Sequence, residues 1–225
     1  MEISNSGNYG DETRRKLIAA GLDVFGHYGF EAATTRMLSK TAGVNLAAIP
    51  YHFGGKEGLY QAVVESVAVR VLGIIENERR TLYEVMANQK ASREEMLKAL
   101  EDVIRAFGRL LVSSGFGDQM GLIIIWEQFQ PTSAFDRIYD GAMGELHVAV
   151  TDIVARLTGV SPKSDEAILR THAIIGQVFV FRAMRETARR RLGWKEFDEK
   201  KTSLACDIIV ENMRRILGRR QYGGS

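Results

Sequence analysis

Residues 34–59 read TTRMLSKTAGVNLAAIPYHFGGKEGL, and nearly every position there has a mechanical reading. Thr34 or Thr35 can cap a helix on which Leu38 and Ala42 share one side at i, i+4. Gly43 can take the left-handed backbone that ends this helix sharply, and Val44 fills the angle to the next one. Asn45 caps the second helix, whose Ala48, Ile49 and Phe53 turn toward a core while Leu46, Ala47, Pro50 and Tyr51 turn outward. The pattern is a helix-turn-helix, and its outward face is a candidate recognition surface. Between Glu31 and Glu57 the only charges are Arg36, Lys40 and Lys56, an acid-free basic stretch of the kind that meets a polyanion.

Outward from this stretch, apolar residues recur at three- and four-residue spacing and strand-like alternation is scarce, so the expected fold is all-α. Residues 1–10 (MEISNSGNYG) read as a flexible polar arm. Asp11 caps a helix to about residue 28 that Gly29 stops, with Leu17, Ala20, Gly21, Val24 and Phe25 on one face. Short helices at 35–42 and 45–52 follow. Longer ones are expected at 56–87, 92–113, 117–130, 133–158, 164–191 and 196–217, with a Ser92/Glu95 capping box, Pro131 and Pro162 in loops, and Gly193 as a terminator. The expected organisation is the arm at 1–10, a helix-turn-helix domain at 11–60 and a larger helical domain at 61–220.

The chain has 225 residues and a net charge of +2, long enough to bury a real core without disulfides. Cys206 is the only cysteine, which suits a reducing compartment and a small buried side chain. The N-terminus carries no signal-peptide pattern. The apolar runs at 121–126 and 171–181 are shorter than the ~20 residues that span a bilayer. The expected location is the cytoplasm, with no membrane partner.

With these residues in view, the stretch resembles the TetR family at Thr34, Thr35, Ala42, Gly43, Val44, Asn45, Ile49, His52, Phe53, Lys56 and Leu59, and upstream in FGHYGFEAATT at 25–35. The resemblance implies a three-helix N-terminal DNA-binding domain, a C-terminal ligand and dimerisation domain, and double-stranded operator DNA as partner. Arg36 then falls where family members reach a base edge, and Thr35, Tyr51, His52 and Lys56 fall at phosphate-contacting positions; Thr34, Asn45, Leu46, Ala47, Ala48 and Pro50 complete the expected DNA-binding set. Pro50 departs from the family's usual Tyr. It lacks a backbone donor, so the recognition helix is expected to end or tighten there. With Leu46, Ala47 and Ala48 it presents methyl and methylene groups, which suits thymine methyls and groove shape better than a polar code.

The C-terminal part is similar to a TetR subgroup sometimes called the CerR type, through NLAAIPYHFGGKEGLY at 45–60, WEQFQPTSAF at 126–135, THAIIGQ at 171–177, FRAMRET at 181–187 and GWKEFDEKKT at 193–202. The resemblance implies a homodimer through residues 164–217. Stripes of Ile168, His172, Ile175, Phe179 and Arg182, and of Leu204, Ile208, Glu211 and Arg215, fit that role. Polar residues inside apolar runs, with aromatics nearby in sequence, mark a candidate ligand pocket of Phe107, Met120, Ile123, Trp126, Glu127, Phe129, His147, His172 and Gln177 for an unidentified small-molecule effector. A buried Glu127 needs a partner, for which Arg137, Arg170 and Arg182 are candidates. Each polar residue also reads as a plain structural hydrogen-bonding group.

No phosphate loop, nucleophile elbow or zinc signature appears and the four histidines lack ligand spacing, so no enzyme activity, cofactor or metal is expected. The Arg-rich run at 182–191 reads as a solvated face with pairs such as Arg182 with Glu186. The leading reading is a sequence-specific repressor released from a palindromic operator by a ligand. The alternative is a helical sensor or interaction protein of the same fold with weak or non-specific DNA binding, motivated by Pro50 and the apolar recognition face.

Overall fold

The computed structural model describes residues 4–112 and 118–218. Among them there are helices and no strands, and no single helix is long and apolar enough to cross a membrane. The chain divides into two compact units. One takes the described residues up to Arg70 together with Asp118–Tyr139, and the other takes the remainder. The boundary thus differs from the expected one at residue 60, because a segment distant in sequence returns to the N-terminal unit.

In the first unit, α1 (Ser4–Ala32) begins earlier than expected. Residues 4–10 are helical rather than a loose arm, and Asp11 lies inside the helix instead of capping it; residues 1–3 lie outside the described residues. No proline interrupts residues 4–10, so the downstream helix propagates backward through them. Helical geometry breaks at Gly29 (φ 72°, ψ 174°), as its backbone freedom suggests. Leu17, Ala20, Gly21, Val24 and Phe25 are all buried. They meet Leu38 of α2 (Thr35–Ala42), Ile49 of α3 (Ala48–Phe53) and Leu59, Tyr60, Val63 and Val64 of α4 (Lys56–Ile74) in one core. The Tyr60 ring packs edge-on to Phe25 with centroids 4.8 Å apart and lies 4.9 Å from Phe30.

Helix α7 (Asp118–Phe129), followed after the Pro131 loop by α8 (Ser133–Ile138), packs against α1. The helices approach closely at Gly26, where a Cβ would lie 3.1 to 3.2 Å from Gln119. The Trp126 indole N–H donates to the Gly26 carbonyl at 3.2 Å. Gln61 donates to Ser133 and Arg137 to Glu65, at 2.9 and 3.1 Å.

The second unit contains α5 (Glu76–Ala87), α6 (Arg93–Val112), α9 (Gly144–Thr158), α10 (Asp165–Ala183), α11 (Arg185–Leu192) and α12 (Glu199–Gly218). Helix α6 is its centre and packs against α5, α9, α10 and α12. Arginines satisfy the exposed ends of neighbouring helices: Arg93 donates to the carbonyls of Leu157 and Leu217, and Arg156 to those of Val85, Met86 and Asn88. Arg214 bridges Glu94 and Glu101, and Arg105 bridges Glu101 and Asp207, so α6 and α12 are joined by ion pairs as well as by their apolar faces.

Three expected long helices are interrupted. The one at 56–87 breaks at the fully buried Ile75, and the one at 133–158 contains a π-helical turn over Tyr139–Met143. The one at 164–191 bends by 66° at Met184 between α10 and α11. None of these breaks carries a proline, and the apolar period runs through them, so the pattern alone offers no stop. The Ser92/Glu95 capping box is present, with reciprocal bonds of 2.7 and 3.2 Å, and Gly193 ends α11 at φ 67°. The last two residues of the expected 61–220 domain lie outside the described ones.

Candidate nucleic-acid interface

Thr34, rather than Thr35, caps α2: its hydroxyl accepts from the Met37 N–H at 3.2 Å. Gly43 closes the helix at φ 63°, where its N–H reaches Lys40 and the Val44 N–H reaches Ser39, a Schellman arrangement. Arg36, one residue past the start of α2, is exposed. Among the described residues its guanidinium has no intramolecular partner.

The connection to α3 is tighter than expected. Asn45 accepts from the Ala47 N–H at 2.9 Å and so caps a turn. The helix starts only at Ala48, and the N–H groups of Ala48, Ile49 and Tyr51 go to the carbonyls of Asn45, Leu46 and Ala47. Pro50 therefore sits in the first turn. It does not end the helix there, because a first-turn residue has no intrahelical acceptor to lose. Leu46 is 48 % and Tyr51 84 % exposed, with Ala47 and Pro50 also outward, while Ala48 and Phe53 are half-buried beside the buried Ile49. The Tyr51 and His52 rings stand edge to face at 4.8 Å. Thr35, Asn45, Leu46, Ala47, Ile49 and Pro50, with Gly55, line a shallow open depression of about 540 Å³.

Lys56 is not a freely extended phosphate clamp. Its ammonium donates to the carbonyls of Phe30 and Ala33 at 3.0 and 3.2 Å and lies 4.3 Å from the Phe30 ring centroid. Two of its three donors fasten the end of α1, which leaves one for an anion.

The candidate ligand residues divide between the two units. Met120, Ile123, Trp126, Glu127 and Phe129 lie on α7 in the first, and Phe107, His147, His172 and Gln177 in the second. Met120 and Ile123 are core residues, and Phe129 is 71 % exposed. Trp126 is engaged with Gly26. Glu127, 4 % exposed, is held by the Tyr60 hydroxyl at 2.5 Å and by the N–H and hydroxyl of Thr132 at 3.1 to 3.2 Å. Two of the three expected arginine partners are otherwise placed, since Arg137 pairs with Glu65 and Arg170 with Glu166. Sequence reasoning missed the Tyr60–Glu127 bond because 67 residues separate the two. In the second unit Phe107 and His147 are half-buried and His172 exposed, while Gln177 accepts from Asn212 at 3.1 Å. Burial chiefly, and His172 secondarily, hold the His147 imidazole below its ordinary range.

Residues 17–63 match the family described as bacterial regulatory proteins, tetR family, and residues 97–219 match the C-terminal domain of the HTH-type transcriptional dual regulator CecR. The chain belongs to the TetR family of transcriptional regulators. The CecR domain is the one the CerR-type resemblance pointed to. CecR of Shigella flexneri is 35 % identical over 212 residues, covering 92 % of each chain. Among solved structures, a transcriptional regulator from Rhodococcus sp. Rha1 aligns with a TM-score of 0.60 at 18 % identity, over 90 % of this chain and 96 % of that one. AibR in complex with isovaleryl coenzyme A and operator DNA aligns at 0.61 and 12 % identity, over 89 % and 97 %. As a TetR-family protein the chain is a DNA-binding regulator and not an enzyme.

Proposed function

We propose that this TetR-family regulator is a cytoplasmic homodimer that binds a palindromic operator through paired helix-turn-helix units and leaves it when a small molecule binds the second unit. The observation that carries the operator half of this reading is Arg36, exposed near the start of α2 without an intramolecular partner among the described residues, in an acid-free stretch. An arginine so placed is available for bidentate contact with guanine. Pro50 in the first turn of α3 leaves the helix intact, which weakens one of the two motives for a non-binding sensor; the apolar face of the recognition helix is the other. Dimerisation rests on the outer face of α10, where Leu169 and Val180 are 66 % and 52 % exposed, and on Leu204 and Ile208 of α12. The stripe differs from the expected one, since Arg182 is buried. Repression is the leading mode. The dual-regulator name of the Shigella flexneri relative favours a second reading, in which the same binding activates some promoters. Release by a ligand requires that the ligand bind one head spacing better than the other.

The test is operator binding across salt concentration and across single-base variants. Arg36→Ala is expected to cost about 1–3 kcal/mol and relax preference at one position per half-site. Lys56→Ala is expected to weaken all duplexes alike and to lower the thermal midpoint, because α1 loses its tether. Uniform weakening by Arg36→Ala would reduce Arg36 to a phosphate contact.

A further inference from the structure

We infer that the depression at the head of α3 is a methyl-reading site, which takes the C5-methyl group of an operator thymine between Leu46, Ala47 and Pro50. The inference rests on the operator-binding reading and deepens it.

The backbone from Ala47 to Tyr51 has no donor left for a base edge or a phosphate. The Ala47 N–H goes to the Asn45 side chain. Those of Ala48, Ile49 and Tyr51 go to preceding carbonyls, and Pro50 has none. The side chains of Leu46, Ala47, Ile49 and Pro50 carry no polar atom, and these four with Thr35 form most of the wall of the depression. The part of the wall made by Leu46, Ala47, Ile49 and Pro50 can neither donate nor accept and discriminates only by covering apolar area, beside the polar Thr35 hydroxyl and Asn45 amide that also line the depression. Among the base edges of the major groove the apolar group is the thymine methyl. Leu46, half exposed in the free protein, supplies the area that such a methyl would cover. Hydrogen-bonded discrimination is left to Arg36 on the neighbouring helix, so the two helices read different chemistry.

The experiment uses the full chain and a duplex that it enriches from a random library, resynthesised with uracil in place of each thymine in turn. Uracil keeps the Watson–Crick face and removes only the methyl. At one or two positions per half-site the wild type is expected to lose about fourfold in affinity per methyl. Replacing such a thymine by cytosine should lower affinity, and 5-methylcytosine should recover part of the loss. Leu46→Gln should bind thymine and uracil duplexes equally, whereas Arg36→Ala, although weaker overall, should keep the ratio.

Equal affinity of the wild type for thymine and uracil duplexes overturns the inference while operator binding stands. A uracil effect that persists unchanged in Leu46→Gln also overturns it, because the methyl would then act through duplex shape. If no duplex is enriched with salt-dependent affinity, the operator reading and this inference both fall.

Discussion

Glu127 is buried among apolar helices, and its carboxylate is tolerable there because the Tyr60 hydroxyl and both donors of Thr132 reach it. The same contact acts on Tyr60. Burial first, and the Glu127 hydrogen bond and charge second, hold the phenol well above the ordinary tyrosine value of 10.0. In the unfolded chain the hydroxyl ionises near that value, while in the folded chain it keeps its proton. Above pH 10 the folded state therefore binds more protons than the unfolded one, and stability falls as pH rises; below pH 10 the pair contributes in full. Tyr60→Phe is expected to lower stability by about 1–3 kcal/mol at neutral pH. The gap between the two proteins should narrow in thermal unfolding from about pH 8 to about pH 11. A gap constant over that range would mean that Tyr60 titrates alike in both states. The sequence marks Glu127 as a buried carboxylate in need of a partner but suggests arginine, because charge is visible along a chain and a phenol brought from another helix is not.

Helix α6 comes within packing distance of α12 at Gly108, where an added Cβ would overlap the Cys206 sulfur. Gly108→Ala is expected to destabilise by about 1 kcal/mol or more through overpacking. Combining it with Cys206→Ala should cost less than the sum of the single changes in a urea double-mutant cycle, since the second substitution makes room for the first. Strict additivity would mean that the sulfur turns aside freely. At this scale the sequence is legible at the Thr34 cap, Gly43, the Ser92/Glu95 box and Gly193, which act as read, but not at Asp11, which lies inside α1, or at Asn45, which caps a turn ahead of α3. It is also illegible at the buried Ile75 and at the exposed Met184, since neither break carries a proline or a glycine. Of the two outcomes expected at Pro50, an ended or a tightened helix, the first does not occur, because α3 begins only at Ala48 after Asn45 caps a turn, while the Ala48 and Ile49 N–H groups make the tighter three-residue bonds.

Leu169 and Val180 of α10 and Leu204 and Ile208 of α12 are exposed apolar side chains that a second protomer would cover, and the polar Gln177–Asn212 bond joins the two helices. A dimer at micromolar concentration is expected in sedimentation, and Leu169→Glu with Val180→Glu should give a folded monomer with much weaker operator binding, since one head contacts too few bases. A double variant that stays dimeric would place the interface elsewhere. The helix-turn-helix is readable because its devices lie within 26 consecutive residues. The return of α7 to the first unit is not, since nothing local in 118–139 says which helix it will cover. That return has a practical consequence for chimeric regulators. A graft cut after residue 60 or 70 would leave behind the helix whose Trp126 closes on Gly26 and whose Glu127 holds Tyr60, exposing the flank of α1 that α7 covers. A transplantable reading head of this protein is a two-piece part, and any recipient scaffold must accept residues 118–139 along with the N-terminal segment.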